Sequence, residues 1–262
     1  MTAIDQRAIQ QTHADAKPRR WLTFWLSWVL VVVGIGTFWF VAEQVTDGDT
    51  EGWDESISRA LAYENVSGFW QEFGRDLTAL GGKAILTLAV LITAGVLMIK
   101  RKFAGMTLVL VAALGGLGVS LGLKEVFDRP RPDLFEHASH TMTSSFPSGH
   151  SMNAMVVWLV LGLLITRFTR STKLKLFVLF FAVLIPLAVG FSRVFVGVHW
   201  MTDVIAGWSL GVAWAFGCYA VSGLLQDKRM VEQPEETTDD IAPARAAKRS
   251  GRARNAPANT AA

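Results

Sequence analysis

The sequence has only one cysteine, Cys218, among its 262 residues, and that cysteine lies inside an apolar segment. A disulfide framework within the chain is therefore excluded, and a metal site built from cysteine thiolates is not expected. Charged residues make up 18% of the chain, and long stretches contain none of them. The first such stretch is residues 21–42. We interpret Cys218 as a small apolar residue of a helix.

Six apolar blocks indicate a membrane protein. Crossing the apolar core of a bilayer takes roughly 20 apolar residues in a helix. The blocks cover residues 21–42, 84–99, 104–123, 151–165, 176–191 and 204–225. A soluble protein can contain one such block, whereas six are typical of a helical bundle in lipid. The first block is too long and begins too late for a signal peptide. We therefore predict an all-α membrane protein with six transmembrane helices in a bundle.

The positions of lysine and arginine predict the orientation of the bundle. Most of the 25 Lys and Arg residues lie before the first block, after the second, after the fourth or after the sixth. By the positive-inside rule these segments face the cytoplasm. The protein is thus predicted to be a multi-pass protein of the cell membrane with both termini cytoplasmic. The same distribution explains the net charge of +3 without a nucleic-acid partner.

This topology divides the chain into three regions. Residues 1–20 are predicted to be a cytoplasmic N-terminal segment, and residues 21–225 the six-span domain. Residues 226–262 have no apolar period and are predicted to be a disordered, basic cytoplasmic tail. The first outer loop, residues 43–82, is predicted to contain short amphipathic helices. These helices could lie on the bilayer surface or form a soluble cap, and the sequence favours neither.

Several basic residues are embedded in apolar sequence at the extracytoplasmic ends of the predicted helices. One such residue could snorkel to the interface, but several at one face indicate a site. Three stretches reach that face, namely residues 124–132, 146–150 and 192–203. The first supplies Lys124, Arg129 and Arg131, which are cations suited to binding an anion.

The second and third stretches add hydrogen-bond donors and a candidate nucleophile. Gly149 allows close approach of an anion to a helix start, and the Ser148 hydroxyl can donate to it. Taken alone, this pattern is also that of an ordinary turn and N-cap. His199 and Asp203 are spaced i, i+4, so in a helix the carboxylate would fix the imidazole tautomer. Arg193 adds a further cation. A lone His–Asp pair could equally be structural, so the inference depends on all three stretches meeting.

A tetrahedral oxyanion is the ligand that best suits this combination. Zinc would be repelled by four cations beside two histidines, and magnesium would need more carboxylates than Asp203. We therefore predict a site with no metal and no cofactor.

The same residues resemble the three-part signature of the type 2 phosphatidic acid phosphatase superfamily. The matching positions are Lys124 and Arg131-Pro132, then Pro147-Ser148-Gly149-His150, then Ser192-Arg193, His199 and Asp203. The six-span layout resembles the membrane branch, which includes bacterial phosphatidylglycerophosphatase B and undecaprenyl diphosphate phosphatases. The resemblance covers approximately residues 20–225.

The resemblance implies a role for each signature residue. His199 would attack phosphorus and form a phosphohistidine, Asp203 would orient it, and His150 would act first as acid and then as base. The residues implied in binding the phosphate oxygens are Lys124, Arg131, Ser148, Gly149 and Arg193.

Three further polar residues near the signature match none of its positions. Arg129 lies between signature positions and is predicted to assist the others. His137 and His140 are interpreted as ordinary loop residues.

The function predicted from these observations is that of a metal-independent lipid phosphatase. Its partners would be the bilayer and a lipid phosphate or diphosphate, with no nucleic acid and no obligate protein partner. The candidate lipids are undecaprenyl diphosphate, phosphatidylglycerol phosphate and phosphatidic acid, and no residue selects among them.

Two other functions are compatible with parts of the pattern. A transporter would be expected to carry its charges near the bilayer midplane, whereas here they gather at one face. A vanadate-dependent haloperoxidase could use the same pocket, and an assay of halide oxidation with added vanadate would detect it.

Overall fold

The computed structural model describes the backbone of residues 3–61, 67–133 and 144–227, and the side chains of residues 21–61, 67–133 and 144–225. Every regular element in these ranges is a helix. The helices are α1 (Ala3–Thr46), α2 (Glu51–Ala60), α3 (Gly68–Ala79), α4 (Lys83–Ile99), α5 (Phe103–Val126), α6 (Gly149–Phe168), α7 (Thr172–Phe195) and α8 (Met201–Asp227). The predicted all-α fold is confirmed. Residues 228–262 of the predicted tail, together with His137 and His140, lie outside the described residues.

The lengths and apolar surfaces of the helices are those of a multi-pass membrane protein, as predicted. Five of them, α1 and α5 to α8, are long and apolar enough to cross a bilayer. The second predicted span corresponds to α4, which has only 17 residues; α3 precedes it at a bend of 42°, and the pair would make a sixth span. Large apolar side chains such as Trp25, Leu91 and Phe177 are about 60% exposed. Contact with lipid satisfies such a surface, whereas water would not.

Two short helices lie within residues 43–82, where amphipathic helices are predicted. α2 packs on α8, and α3 packs on α7. The buried face of α2 carries Asp54 and Ser58, and α3 exposes Phe69, Trp70 and Phe73, whose rings contact one another. Each of the two helices therefore packs on the bundle with one face and exposes another face.

The most buried helix is α6, which packs against α5, α7 and α8. Its contact with α8 is made close by glycines of α8. A Cβ at Gly207 would lie 2.7 Å from the carbonyl oxygen of Ser148 and 3.1 Å from the Cβ of Ser151. Small residues of this kind let two membrane helices approach backbone to backbone. The first turns of α6 and α8 are thereby held in contact.

An aromatic cluster fixes the segment that leads into α6. Phe146 is fully buried and stacks on Phe38 of α1, with ring centroids 5.9 Å apart. Phe127, just after α5, meets the Phe146 ring edge-on at 5.0 Å. Aromatic pairs bury a large apolar area in preferred geometries. These contacts therefore fix the segment before α6 relative to α1 and α5.

Gly207→Ala is expected to destabilise the fold, because the new methyl group would meet backbone atoms of α6 rather than a side chain that can move. The expected cost is about 1–3 kcal/mol, seen as a lower midpoint of thermal unfolding in detergent. Gly118→Ala in α5 is the matched control, since a Cβ there meets nothing within 4 Å. An alanine in an open helix position should be neutral or slightly stabilising. Equal midpoints for the two variants would contradict the account of this contact.

Candidate active site

Four helix ends meet at one end of the bundle and bring the predicted site residues together. Lys124 lies in the last turn of α5 and Arg193 in the last turn of α7. Cations at these positions interact favourably with the negative end of the helix dipole. Ser148 is the N-cap of α6, and its backbone N–H donates to the carbonyl oxygen of Asp203 in the first turn of α8 at 3.0 Å. The site therefore combines two helix C-termini that carry cations with two helix N-termini.

His199 and Asp203 form a buried pair between α7 and α8. The imidazole Nδ1 lies 3.2 Å from Oδ2 of Asp203, and the two residues are 2% and 0% exposed. The i, i+4 spacing would bring the two side chains together if both residues were in one helix. His199 instead lies in the turn before α8, and only Asp203 is in the helix. Asp203 instead reaches back from the first turn of α8 and also accepts the backbone N–H of Trp200 at 2.9 Å. The predicted pairing is present, with a capping geometry in place of a continuous helix.

The surroundings of His199 keep its imidazole neutral at neutral pH. Burial lowers the pKa of His199 to about 4, even though the hydrogen bond and charge of Asp203 act in the opposite direction. A carboxylate only accepts hydrogen bonds, so the neutral ring carries its proton on Nδ1. The lone pair of Nε2 is then free, which is the form that a nucleophilic imidazole requires.

Arg131 lies beside the unprotonated nitrogen of His199, and the charges of Arg193 and Lys124 belong to the same site. Nη1 of Arg131 lies 3.5 Å from Nε2 of His199 and donates to the carbonyl oxygen of Val198 at 2.9 Å. The charges of Arg131 and Arg193 both act on His199 and repel Lys124. Burial lowers the pKa of Arg131, although a guanidinium stays protonated at any ordinary pH. An anion placed among these side chains would relieve their repulsion.

Donors for that anion are present on two of these cations. Among the described residues, Nε of Arg193 is one of the buried side-chain atoms without a hydrogen-bond partner. Lys124 donates from Nζ to the carbonyl oxygen of Ser144 at 2.6 Å, which aligns its side chain along the segment before α6. A buried guanidinium nitrogen that lacks a partner costs free energy, so Nε of Arg193, close to other cations, is a candidate donor to a bound anion.

The first turn of α6 contributes Ser148, Gly149 and His150. The hydroxyl of Ser148 is buried and accepts from the hydroxyl and backbone N–H of Ser151 at 2.9 and 3.5 Å, so it acts as an N-cap and keeps its own hydrogen to donate. A Cβ at Gly149 would lie 3.6 Å from Cε of Lys124, which places the start of the helix beside that lysine. His150 is half-buried, and the positive charges of Arg193 and Lys124 act on it.

Sequence reasoning missed two residues that this arrangement uses. Arg129, predicted only to assist, donates from Nη1 to Oδ1 of Asp203 at 2.6 Å and from Nη2 to Oδ2 of Asp54 at 2.8 Å. The two residues without a predicted role are Asp54 in α2 and Thr202 in α8. The available signal for Asp54 was its position, since it shares one face of α2 with the apolar Ile57.

The carboxylates and histidines of the described residues do not assemble as a metal site. No group of three or more His, Cys, Asp or Glu side chains in the described ranges is close enough to hold an ion. The nearest groups to the free Nε2 of His199 include a guanidinium, and the carboxylate of Asp203 is engaged with Nδ1.

The titration of His199 tests the electrostatic account of the pair. In a protein labelled with ¹⁵N in its five histidines, we expect the signal lost in His199→Asn to report a neutral, Nδ1-protonated ring down to about pH 4. Burial disfavours the cation, so the proton is taken up below the ordinary range of histidine. Asp203→Asn removes a carboxylate that favours the cation and should move the titration to still lower pH. Titration near pH 6.5 would contradict this account.

The comparisons with known proteins identify the family. A family model described as the PAP2 superfamily matches residues 104–226. Phosphatidylglycerophosphatase B of Bacillus subtilis (strain 168) is 36% identical over 178 residues, which are 67% of this chain and 86% of that protein. An undecaprenyl-diphosphatase of Sulfolobus acidocaldarius is 33% identical over 128 residues, covering 46% of this chain and 56% of that protein.

A solved structure extends the similarity to the fold. The crystal structure of the first transmembrane PAP2-type phosphatidylglycerolphosphate phosphatase from Bacillus subtilis matches with a TM-score of 0.66 and 31% identity. The match covers 76% of this chain and 96% of that chain. The resemblance seen in the signature residues is thereby confirmed, and the chain belongs to the PAP2 superfamily with the fold of its transmembrane phosphatases.

Proposed function

We propose that this protein is a lipid phosphatase that hydrolyses a phosphomonoester or diphosphate lipid at the extracytoplasmic face through a phosphohistidine intermediate. The observation that carries the proposal is the neutral, buried His199, with Nδ1 held by Asp203 and Nε2 directed to Arg131. The family supports it, since the named relatives are phosphatases of phosphatidylglycerophosphate and undecaprenyl diphosphate. The large exposed apolar side chains on the flanks of the bundle support a lipid as the substrate.

In the first step, Nε2 of His199 attacks phosphorus with its lone pair. An N–P bond forms as the P–O bond to the lipid breaks, and the electrons of that bond pass to the leaving oxygen. The negative charge of the bound phosphate would offset the cations around His150 and allow it to be protonated. The protonated His150 donates its proton to this oxygen, so that a lipid alcohol or a lipid phosphate departs. The imidazole of the intermediate is phosphorylated on Nε2 and still protonated on Nδ1, so it is cationic. The carboxylate of Asp203 stabilises that cation at 3.2 Å.

In the second step, water attacks the phosphorus of the intermediate. His150, now neutral, accepts a proton from the water as the new P–O bond forms. The N–P bond breaks, and its electron pair returns to Nε2 of His199. Inorganic phosphate leaves, and both histidines are restored to their starting protonation states.

Cations and helix dipoles would stabilise the charge of the transferred phosphoryl group. Arg131 and Arg193 can each donate to oxygens of the group, and Lys124 supplies a third positive charge. The start of α6, with Ser148 and Gly149, adds an N-terminal helix dipole. Phosphoryl transfer is catalysed mainly by positioning and charge, and these groups would supply both. We therefore propose that activity is metal-independent and survives EDTA.

The orientation in the membrane follows from the charge distribution and forms part of the proposal. Both termini would be cytoplasmic, and the ends of α5 and α7 would face the opposite side. In a Cys218→Ala background, Asp128→Cys should react with a membrane-impermeant maleimide in intact cells. Lys173→Cys, which is also exposed but at the other end of the bundle, should react only after lysis. The reverse pattern would place the site in the cytoplasm.

Phosphate release by the purified protein tests the proposed activity. A panel of phosphatidylglycerol phosphate, phosphatidic acid and undecaprenyl diphosphate in detergent with EDTA should reveal a substrate. His199→Asn is expected to lower the rate by at least about 10³-fold, because it removes the nucleophile. Asp203→Asn should lower kcat by about 10²–10⁴-fold, because the tautomer is no longer fixed. Lys173→Ala, at the far end of the bundle, should retain full activity. Full activity of His199→Asn would refute the proposal.

The covalent intermediate can be accumulated by removing the proposed base. With an activated aryl phosphate, the leaving group needs no proton, so His150→Asn should still be phosphorylated at a measurable rate. Water attack lacks its base in this variant, and the phosphoprotein should build up. The label should be labile to acid and stable to alkali, and it should be absent from the double variant His150→Asn/His199→Asn. Equal labelling of the double variant would contradict the assignment of His199.

A further inference from the structure

Arg129 joins the catalytic pair to a helix that lies outside the family signature. Its guanidinium donates to Asp203 of α8 at 2.6 Å and to Asp54 of α2 at 2.8 Å. The side chain of Arg129 is 12% exposed, and those of the two aspartates are 0–1% exposed. A planar guanidinium can hold two carboxylates at once in a fixed geometry, which an ammonium group cannot do.

Asp54 also binds the residue next to Asp203. Its Oδ1 accepts the backbone N–H of Thr202 at 3.1 Å, and its Oδ2 accepts the hydroxyl of Thr202 at 2.5 Å. That hydroxyl in turn accepts from Nη1 of Arg129 at 2.7 Å. The backbone and the side chain at the start of α8 are thus both held by one carboxylate of α2.

The charges of this cluster also act electrostatically on His199. Arg129 carries one positive charge between two carboxylates, so the cluster of Asp54, Arg129 and Asp203 has a net charge of −1. If Asp54 were neutral, the whole positive charge of Arg129 would oppose the single charge of Asp203. The stabilisation that Asp203 offers to a cationic phosphohistidine would then be weaker, because electrostatic interactions in a buried site are strong.

We propose that Asp54 is a positioning residue for the reaction, which fixes Asp203 through Arg129 and Thr202 and preserves the negative charge that Asp203 presents to His199. The proposal rests on the proposed role of His199 as nucleophile. Asp54 touches neither the substrate nor the imidazole. Helix α2 then contributes a positioning residue to the active site.

Asp54→Asn tests the proposal because it removes the charge and keeps the size. We expect kcat to fall about 10- to 100-fold, as for other residues that orient a functional side chain, while KM changes less than about twofold. Asp54→Glu restores the charge and should recover part of kcat. Ser58→Ala is the matched control: Ser58 is 1% exposed on the same face of α2, one turn away, and its hydroxyl has no hydrogen-bond partner among the described residues. Its kcat and KM should equal those of the unmodified protein.

A double-mutant cycle tests whether Asp54 acts through Arg129. Arg129→Lys keeps the positive charge but cannot span both carboxylates, so it should lower kcat on its own. Adding Asp54→Asn to it should lower kcat by less than about threefold more, because the link is already broken. Multiplicative effects would show that the two residues act independently and would overturn the proposal.

Separate control experiments address misfolding of the variants and the proposed role of His199. If Asp54→Asn does not yield folded protein, judged by its thermal unfolding midpoint, Thr202→Val carries the same test because it removes one hydroxyl of the cluster. A folded variant of either kind with unchanged kcat, or with a raised KM and unchanged kcat, would overturn the proposal. Full activity of His199→Asn would instead refute the proposed function, so the two failures are distinguishable.

Discussion

The hydrogen bond between His199 and Asp203 is the interaction on which the rest of the site depends. Both side chains are buried, and burial opposes charge on the imidazole while the carboxylate favours it. The outcome is a neutral ring whose tautomer is fixed and whose second nitrogen faces Arg131. A carboxylate this deeply buried needs several donors, and Trp200 and Arg129 supply them. The hydrogen bonds that stabilise Asp203 therefore also orient the proposed nucleophile.

The ends of four helices surround the His199–Asp203 pair. Cations lie where α5 and α7 finish, and the N-terminal dipoles of α6 and α8 point into the same space. The arrangement requires α6 and α8 to approach closely, which Gly207 permits, and it requires the segment before α6 to be fixed, which Phe146 achieves. Helix packing within the bundle and the proposed chemistry at its end are thus parts of one arrangement.

The sequence was informative about those features that are local and failed on those that depend on tertiary contacts. Runs of apolar residues predicted the bounds of α4 to α8 to within four positions, whereas α1 begins at Ala3, well before the predicted block at residue 21. The polar residues of the signature lie together at one end of the bundle, and their roles stay a prediction. The helical placement considered for His199 is not observed, because a turn with Asp203 as its cap gives the same contact. Asp54 is separated from Arg129 by 75 positions, and its only local mark was a carboxylate on the buried face of α2. Neither spacing nor composition could have paired these two residues.

The central claim is that phosphate passes through a covalent bond to His199 rather than directly to water. The most direct measurement is the stereochemical course at phosphorus. The substrate carries a thiophosphoryl group that is labelled with oxygen isotopes and is therefore chiral at phosphorus. Two in-line displacements, one by Nε2 and one by water, each invert the configuration, so the account predicts overall retention. Overall inversion would show a single displacement by water and would contradict the account.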